Sequence, residues 1–96
     1  MPTYVTLSHF TEQGIKSIKD TVKRSEAFKK AAKEAGITVK EILWTHGEHD
    51  LVTVVEGPEE AVAALGLGVA KLGNITSQTL RAFTAAEMEK ILTKVS

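Results

Sequence analysis

The side chains best able to do chemistry lie together in one short stretch, "WTHGEHDLVTVVEG", Trp44 to Gly57. His46 and His49 flank Gly47 and Glu48, and Asp50 follows directly. Imidazoles serve as acids, bases and metal ligands, and a neighbouring carboxylate can orient them or complete a site. If Gly47 and Glu48 are the central pair of a tight hairpin, Gly at the first position favours a type II′ turn, and His46 and His49 become directly opposed across the strands. Their Cβ atoms would lie about 5 Å apart, close enough to share an ion. Zinc, however, takes three or four protein ligands. Asp50 alternates to the opposite face, Glu48 sits at the tip of the turn, and His9 is remote in sequence. The favoured reading is therefore no metal: solvated turn histidines first, then ligand contact or packing at a subunit boundary. Asp50 reads first as a carboxylate that accepts backbone N–H groups and fixes the turn, and second as a catalytic group.

A second polar set lies in "TSQTLRAF". Alternation puts Thr76, Gln78, Leu80 and Ala82 on one strand face and Ser77, Thr79, Arg81 and Phe83 on the other, and either set could line a small polar pocket between paired sheets. Hydroxyls and an Arg on a strand are more often interface hydrogen-bonding groups than catalysts. Thr79 and Arg81 thus join His46, His49, Asp50 and Trp44 as candidate ligand-binding residues. No GxSxG elbow, phosphate-binding glycine loop or HExxH is present, and "GLG" at Gly66 to Gly68 lies inside an apolar helical stretch, so no cofactor is expected.

Charge narrows the partners. Twelve Lys and Arg balance twelve Asp and Glu, so the chain has no overall field to gather nucleic acid or an anionic membrane. Bases crowd residues 16–33, while 41–60 holds six acids and no Lys or Arg. Acids among the bases at helical spacing, Glu12 with Lys16, Asp20 with Arg24 and Glu26 with Lys30, favour a solvated, ion-paired face. Alternatively, Arg24 and Asp20 buttress a neighbouring strand. No aromatic partner for nucleic acid accompanies the stripe, since Phe28 belongs to the apolar side. The N-terminus shows no signal-peptide pattern, no apolar run is long enough to span a bilayer, and cysteine is absent, so a cytoplasmic location is the default expectation.

The elements that must position these residues are set by periodicity. Ninety-six residues suit one domain, 1–96. Val5 and Leu7 alternate with Tyr4, Thr6 and Ser8 in a first strand, Thr3 to Phe10. Ile15, Ile18, Val22, Phe28, Ala31, Ala32 and Ala35 form the stripe of a helix over 12–35, bent or divided near "KDT" and ended by Gly36. Ile37 to His46 and His49 to Glu56 make a hairpin. "GPEE" opens a helix that runs to about Gly73, with Gly57 as N-cap and Pro58 as its first residue. Within it, Gly66 and Gly68 each weaken the helix by roughly 1 kcal/mol, which fits either a close backbone approach or a loose helix. Asn74 to Phe83 is a fourth strand, and "TAAE" is a capping box for a last helix with Met88, Ile91, Leu92 and Val95 on one face.

This order gives an α+β, ferredoxin-like βαββαβ fold plus a C-terminal helix, with a four-stranded antiparallel sheet and its long helices on one face. The other face, expected to carry Trp44 and Leu51, needs cover, so a homodimer or higher homo-oligomer is expected. "FTEQGIKSIKDTVKRSEAFKKAAKEAG", "WTHGEHDLVTVVEGPEE" and "LGNITSQTLRAFT" together resemble the GYD domain family, named for a Gly, Tyr, Asp motif between the second and third strands. Gly47 and Asp50 match that motif, and His49 stands where the family has its Tyr. The resemblance implies a dimeric α/β-barrel subunit, similar in architecture to the ligand-binding domains of small transcriptional regulators and to small cofactor-free monooxygenases, and implies no particular reaction. Two functions are expected. The first is an oligomeric module that binds a small molecule or assists assembly. The alternative is a small cofactor-free enzyme, with His46, His49 or His9 as acid or base beside a cleft between sheet and helices.

Overall fold

Strand β1 (Thr3–Phe10) opens the chain, and Thr11 caps the first helical turn by accepting the Gly14 N–H on its hydroxyl. The computed structural model describes all residues 1–96. The long helical stripe is divided where Asp20 and Thr21 interrupt it: α1 (Glu12–Lys16), a 3₁₀ turn (Ile18–Asp20) and α2 (Thr21–Glu34). Gly36 adopts φ +76° and ends α2 in a Schellman motif, the Ile37 N–H donating to the Ala32 carbonyl at 2.8 Å and the Gly36 N–H to that of Lys33 at 3.1 Å. Strands β2 (Thr38–Trp44) and β3 (Leu51–Glu56) come next, then α3 (Glu59–Lys71), β4 (Ile75–Ala82) and α4 (Ala85–Leu92). Pro58 is the N-cap of α3, one residue before its expected place, and Glu59 and Glu60 occupy the first turn. The Thr84–Glu87 capping box closes in both directions. No helix is long and apolar enough to cross a membrane.

The four-stranded sheet has the order β2-β3-β1-β4 with every pair antiparallel, the ferredoxin-like arrangement. The core sits at one end of it, where Tyr4, Val55 and Ile37 meet Ala32 of α2 and Val62 of α3, with Phe28, Val39 and Leu65 packed around them. Edge strand β2 carries an irregularity between Val39 and Glu41 and a charged tie from Lys40 to Glu56 at 3.3 Å, features that discourage pairing with a further strand.

Register assigns the two faces and corrects the sequence reading. Trp44 lies opposite Leu51, and Leu51 opposite Ser8, so Trp44 and Leu51 share the face of Tyr4, Thr6 and Ser8, which is the helix side. The open face instead bears Val5, Leu7, Leu43, Val52, Val54 and Leu80. Alternation groups residues that share a face, but only pairing with neighbouring strands and packing of the helices decides which face is covered.

The surface ion pairs also differ in part. Glu12 and Lys16 meet at 3.1 Å, whereas Glu26 meets Lys29 at 3.5 Å rather than Lys30, and Asp20 does not pair with Arg24. Such exposed pairs are worth well under about 1 kcal/mol each, so the exchange of partners changes little.

The start of α1 is stitched to the end of α3. Thr11 N–H donates to the Asn74 carbonyl at 3.0 Å, Thr11 Oγ1 to that of Gly73 at 2.6 Å, and Gln13 Nε2 to the Leu72 carbonyl and Asn74 Oδ1, both at 2.9 Å. Gly14 is buried at this seam, where a Cβ would stand 2.1 Å from the Asn74 carbonyl oxygen. A Cβ at Gly66 or Gly68 meets nothing within 4 Å, so no backbone of this chain approaches them. Opposite outcomes are expected from the same substitution. Gly14→Ala should lower stability by about 1–3 kcal/mol or more through overpacking, whereas Gly66→Ala should raise it by up to about 1 kcal/mol. Urea unfolding of the two variants beside the parent measures both.

Candidate functional site

On the helix side, beyond the core, the sheet presents hydroxyls where a packed interior would present aliphatic carbons. One row across the strands reads Ile42, Thr53, Thr6, Thr79, and the next reads Trp44, Leu51, Ser8, Ser77. Thr6 Oγ1 and Thr79 Oγ1 lie 3.2 Å apart, and Ser8 Oγ and Ser77 Oγ 2.8 Å apart, so each pair satisfies one bond across β1 and β4. Ser8 is 1 % exposed. These residues are the floor of a cleft of about 520 Å³, whose walls are the inner stripes of α2 and α3 with Phe28, Ala31, Leu65, Val69 and Leu72. Trp44 closes one side, its Nε1 donating to Thr21 Oγ1 at 3.0 Å. The combination of apolar walls and a few convergent polar groups is typical of small-molecule sites.

Among the residues lining this cleft only Arg24 is charged. Its Nη1 donates to the Ser17 carbonyl at 3.0 Å and to Ser17 Oγ at 3.1 Å, and its Nη2 to the Gly14 carbonyl at 3.4 Å. It thus buttresses the α1 end and its 3₁₀ turn rather than a strand.

The sequence candidates divide between locations. Trp44 and Thr79 line the cleft; His46, His49, Asp50 and Arg81 do not. The tight turn is replaced by an open loop over residues 45–50, and His46 and His49 are not a cross-strand pair. The ring that faces His49 is that of His9, with centroids 4.8 Å apart. His9 lies on the open side of the sheet, opposite Thr76 and in the alternation of Val5 and Leu7. No three His, Asp or Glu side chains gather where a metal ion could be held.

Asp50 anchors the end of the loop. Its N–H donates to the Ser8 carbonyl and its Oδ2 accepts the Phe10 N–H, both at 2.9 Å, while its carbonyl accepts the Thr45 N–H at 2.9 Å. Thr45 Oγ1 donates to the His49 carbonyl. Asp50 is thus bonded both to Thr45 at the end of β2 and to β1, and the residues between Thr45 and Asp50 form an open loop in place of a two-residue turn. The carboxylate does accept a backbone N–H, as its first reading held, but that N–H is 40 positions away. Asp50→Ala, which leaves the half-buried Phe10 N–H without its acceptor, should cost about 1–2 kcal/mol in urea unfolding. Asp50→Asn, retaining an oxygen there, should recover most of it.

Arg81 belongs to the core end. Its guanidinium stacks on Phe83 at 4.5 Å and approaches the Tyr4 ring at 5.7 Å, donates to the Thr3 carbonyl at 3.3 Å, and meets Glu87 Oε2 at 3.6 Å. Tyr4 donates to Glu59 Oε2 at 3.3 Å, and burial first, then the Glu59 charge, raise its pKa. The Thr84 N–H, aided by Arg81, holds the Glu87 carboxyl below the usual carboxylate range. A depressed folded-state pKa gives stability that is complete above the unfolded value and is lost as pH falls through the folded one. On titration from about pH 6 to about pH 2, α4 amide signals should move toward coil values as Glu87 protonates. In Glu87→Gln, that titration step should vanish.

The cleft residues missed in the sequence are Thr6, Ser8, Thr53 and Arg24, with Ser77 assigned to a pocket between sheets. Their signal was present: β1 alternates hydroxyls as regularly as aliphatics. Alternation does not say which of the two sets is covered, and strand pairing turns the hydroxyls toward the helices.

The fold and cleft define a ferredoxin-like α+β domain with one sheet face covered by helices and one open. The chain matches the family model described as GYD domain over residues 4–92, and it belongs to that family. No curated protein matches it.

Proposed function

We propose that the protein is a homo-oligomeric small-molecule-binding module, in which two copies join the open faces of their sheets and each holds a ligand between its own sheet and helices α2 and α3. The hydroxyl-floored cleft of about 520 Å³ carries this reading, because hydroxyls on the covered face of a sheet are poor core packing and good ligand contacts. Its assembly half is supported by Val5, Leu7, Val52 and Val54 across the centre of the open face, with Leu43 52 % and Leu80 40 % exposed beside them. Such a sheet pairing would form a barrel-like dimer. The His9 and His49 pair would then border the joined faces rather than the ligand. Binding is preferred over catalysis because none of the three histidines lines the cleft, which leaves it without an imidazole acid or base.

Native mass spectrometry of protein purified gently from its own host should show a dimer, or a multiple of it, with a retained organic molecule. Leu7→Glu should divide the assembly into monomers. Thr79→Phe, filling the floor, should expel the molecule and leave the subunit count unchanged. A bare monomer from the parent protein would overturn the proposal.

A further inference from the structure

The geometry points to an apolar monocarboxylate as the occupant of the cleft, with its carboxylate on Arg24 and its apolar body along Phe28 and Leu65. This assignment rests on the binding function proposed above and names the class of ligand. Three observations carry it.

The first is charge. Arg24 is the only charged residue lining the cleft, is half-buried, and has no carboxylate partner, since its contacts are to two carbonyls and a hydroxyl. Asp20, the nearest acid before it in the chain, is exposed and does not pair with it. A guanidinium has five N–H donors. The three observed bonds leave the Nε–H and one Nη2–H without a partner in the chain. Carboxylates are the natural acceptors for a guanidinium with donors to spare, and a charge-assisted bond is stronger than the neutral ones already made.

The second is a gradient along α2. Its inner stripe runs Thr21, Arg24, Ser25, then Phe28, Ala31 and Ala32, polar at the helix start and apolar towards the core. A molecule with one polar end matches this order in a single orientation. The α2 start is also the positive end of its macrodipole, which favours an anion at the same end.

The third is neutrality elsewhere. The floor offers the hydroxyls of Thr6, Ser8, Thr53, Ser77 and Thr79, and no second cation or any acid. A dicarboxylate, an amine or a phosphate ester would leave a charge unpaired within the cleft, at a desolvation cost that the floor hydroxyls only partly offset.

Trp44 is the sole tryptophan and lines the cleft, so its emission reports occupancy of the unlabelled parent protein. Octanoate, octanamide and octylamine are titrated in turn. Octanoate is expected to bind about tenfold more tightly than octanamide, with octylamine weakest. Arg24→Gln should bring octanoate down to the octanamide level and leave octanamide affinity unchanged, and Arg24→Lys should restore part of the difference. Because Arg24 also holds the α1 end, the octanoate and octanamide comparison on the parent protein is decisive even if Arg24→Gln fails to fold. Equal binding of octanoate and octanamide, or a preference that persists in folded Arg24→Gln, overturns the carboxylate assignment and leaves the binding function standing. No change in Trp44 emission with any of the three also overturns the carboxylate assignment, whereas the binding function stands or falls on the molecule retained in native mass spectrometry.

Discussion

β1 is hydrogen-bonded along both edges, to β3 and to β4, so its pleat decides the facing of its neighbours. Tyr4, Thr6, Ser8 and Phe10 point one way, and Val5, Leu7 and His9 the other. A slip of one residue would exchange the two sets. Tyr4 sets the actual register by packing among Ala32, Ile37, Val55 and Val62, where its hydroxyl also reaches Glu59. Thr6 and Ser8 are consequently held beneath the helices, and the aliphatic set is left on the open face. The cleft and the unpartnered sheet are two results of one placement.

Two local devices keep that placement. Asp50 binds β1 at Ser8 and Phe10, which ties the loop over 45–50 to the central strand. Gly14 allows α1 to lie against Asn74, where any side chain would strike the carbonyl. The GYD motif positions Gly47 and Asp50 thus have different standing in this chain: Asp50 is bonded to the sheet, whereas Gly47 has open space about its Cβ position. His49, at the motif's Tyr position, has its ring tilted against that of His9, which lies on the side of the sheet away from the cleft.

The cleft opposes stability. Aliphatic side chains in place of Thr6, Ser8, Thr53, Ser77 and Thr79 would extend the core along the sheet, and each site now buries less apolar surface than it could. Natural proteins keep such local departures from good packing mainly where function requires them. Gly66 and Gly68 act in the same direction, lowering the intrinsic stability of α3 where it forms one wall.

Periodicity and capping chemistry in the sequence alone determined the element order, the break near Asp20, the stop at Gly36, the capping box at Thr84 and the sharing of one face by Ser77, Thr79 and Arg81. These are local properties, governed by side chains a few positions apart. Only the tertiary structure decided which sheet face the helices cover, because strand alternation has no sign until pairing supplies it. It likewise tied Asp50 at the base of the hairpin loop to β1, set His9 rather than His46 beside His49, and brought Arg24, Trp44 and the floor hydroxyls around one cavity. Those groups come from α2 and all four strands, and the contacts that join them span separations that no local pattern encodes.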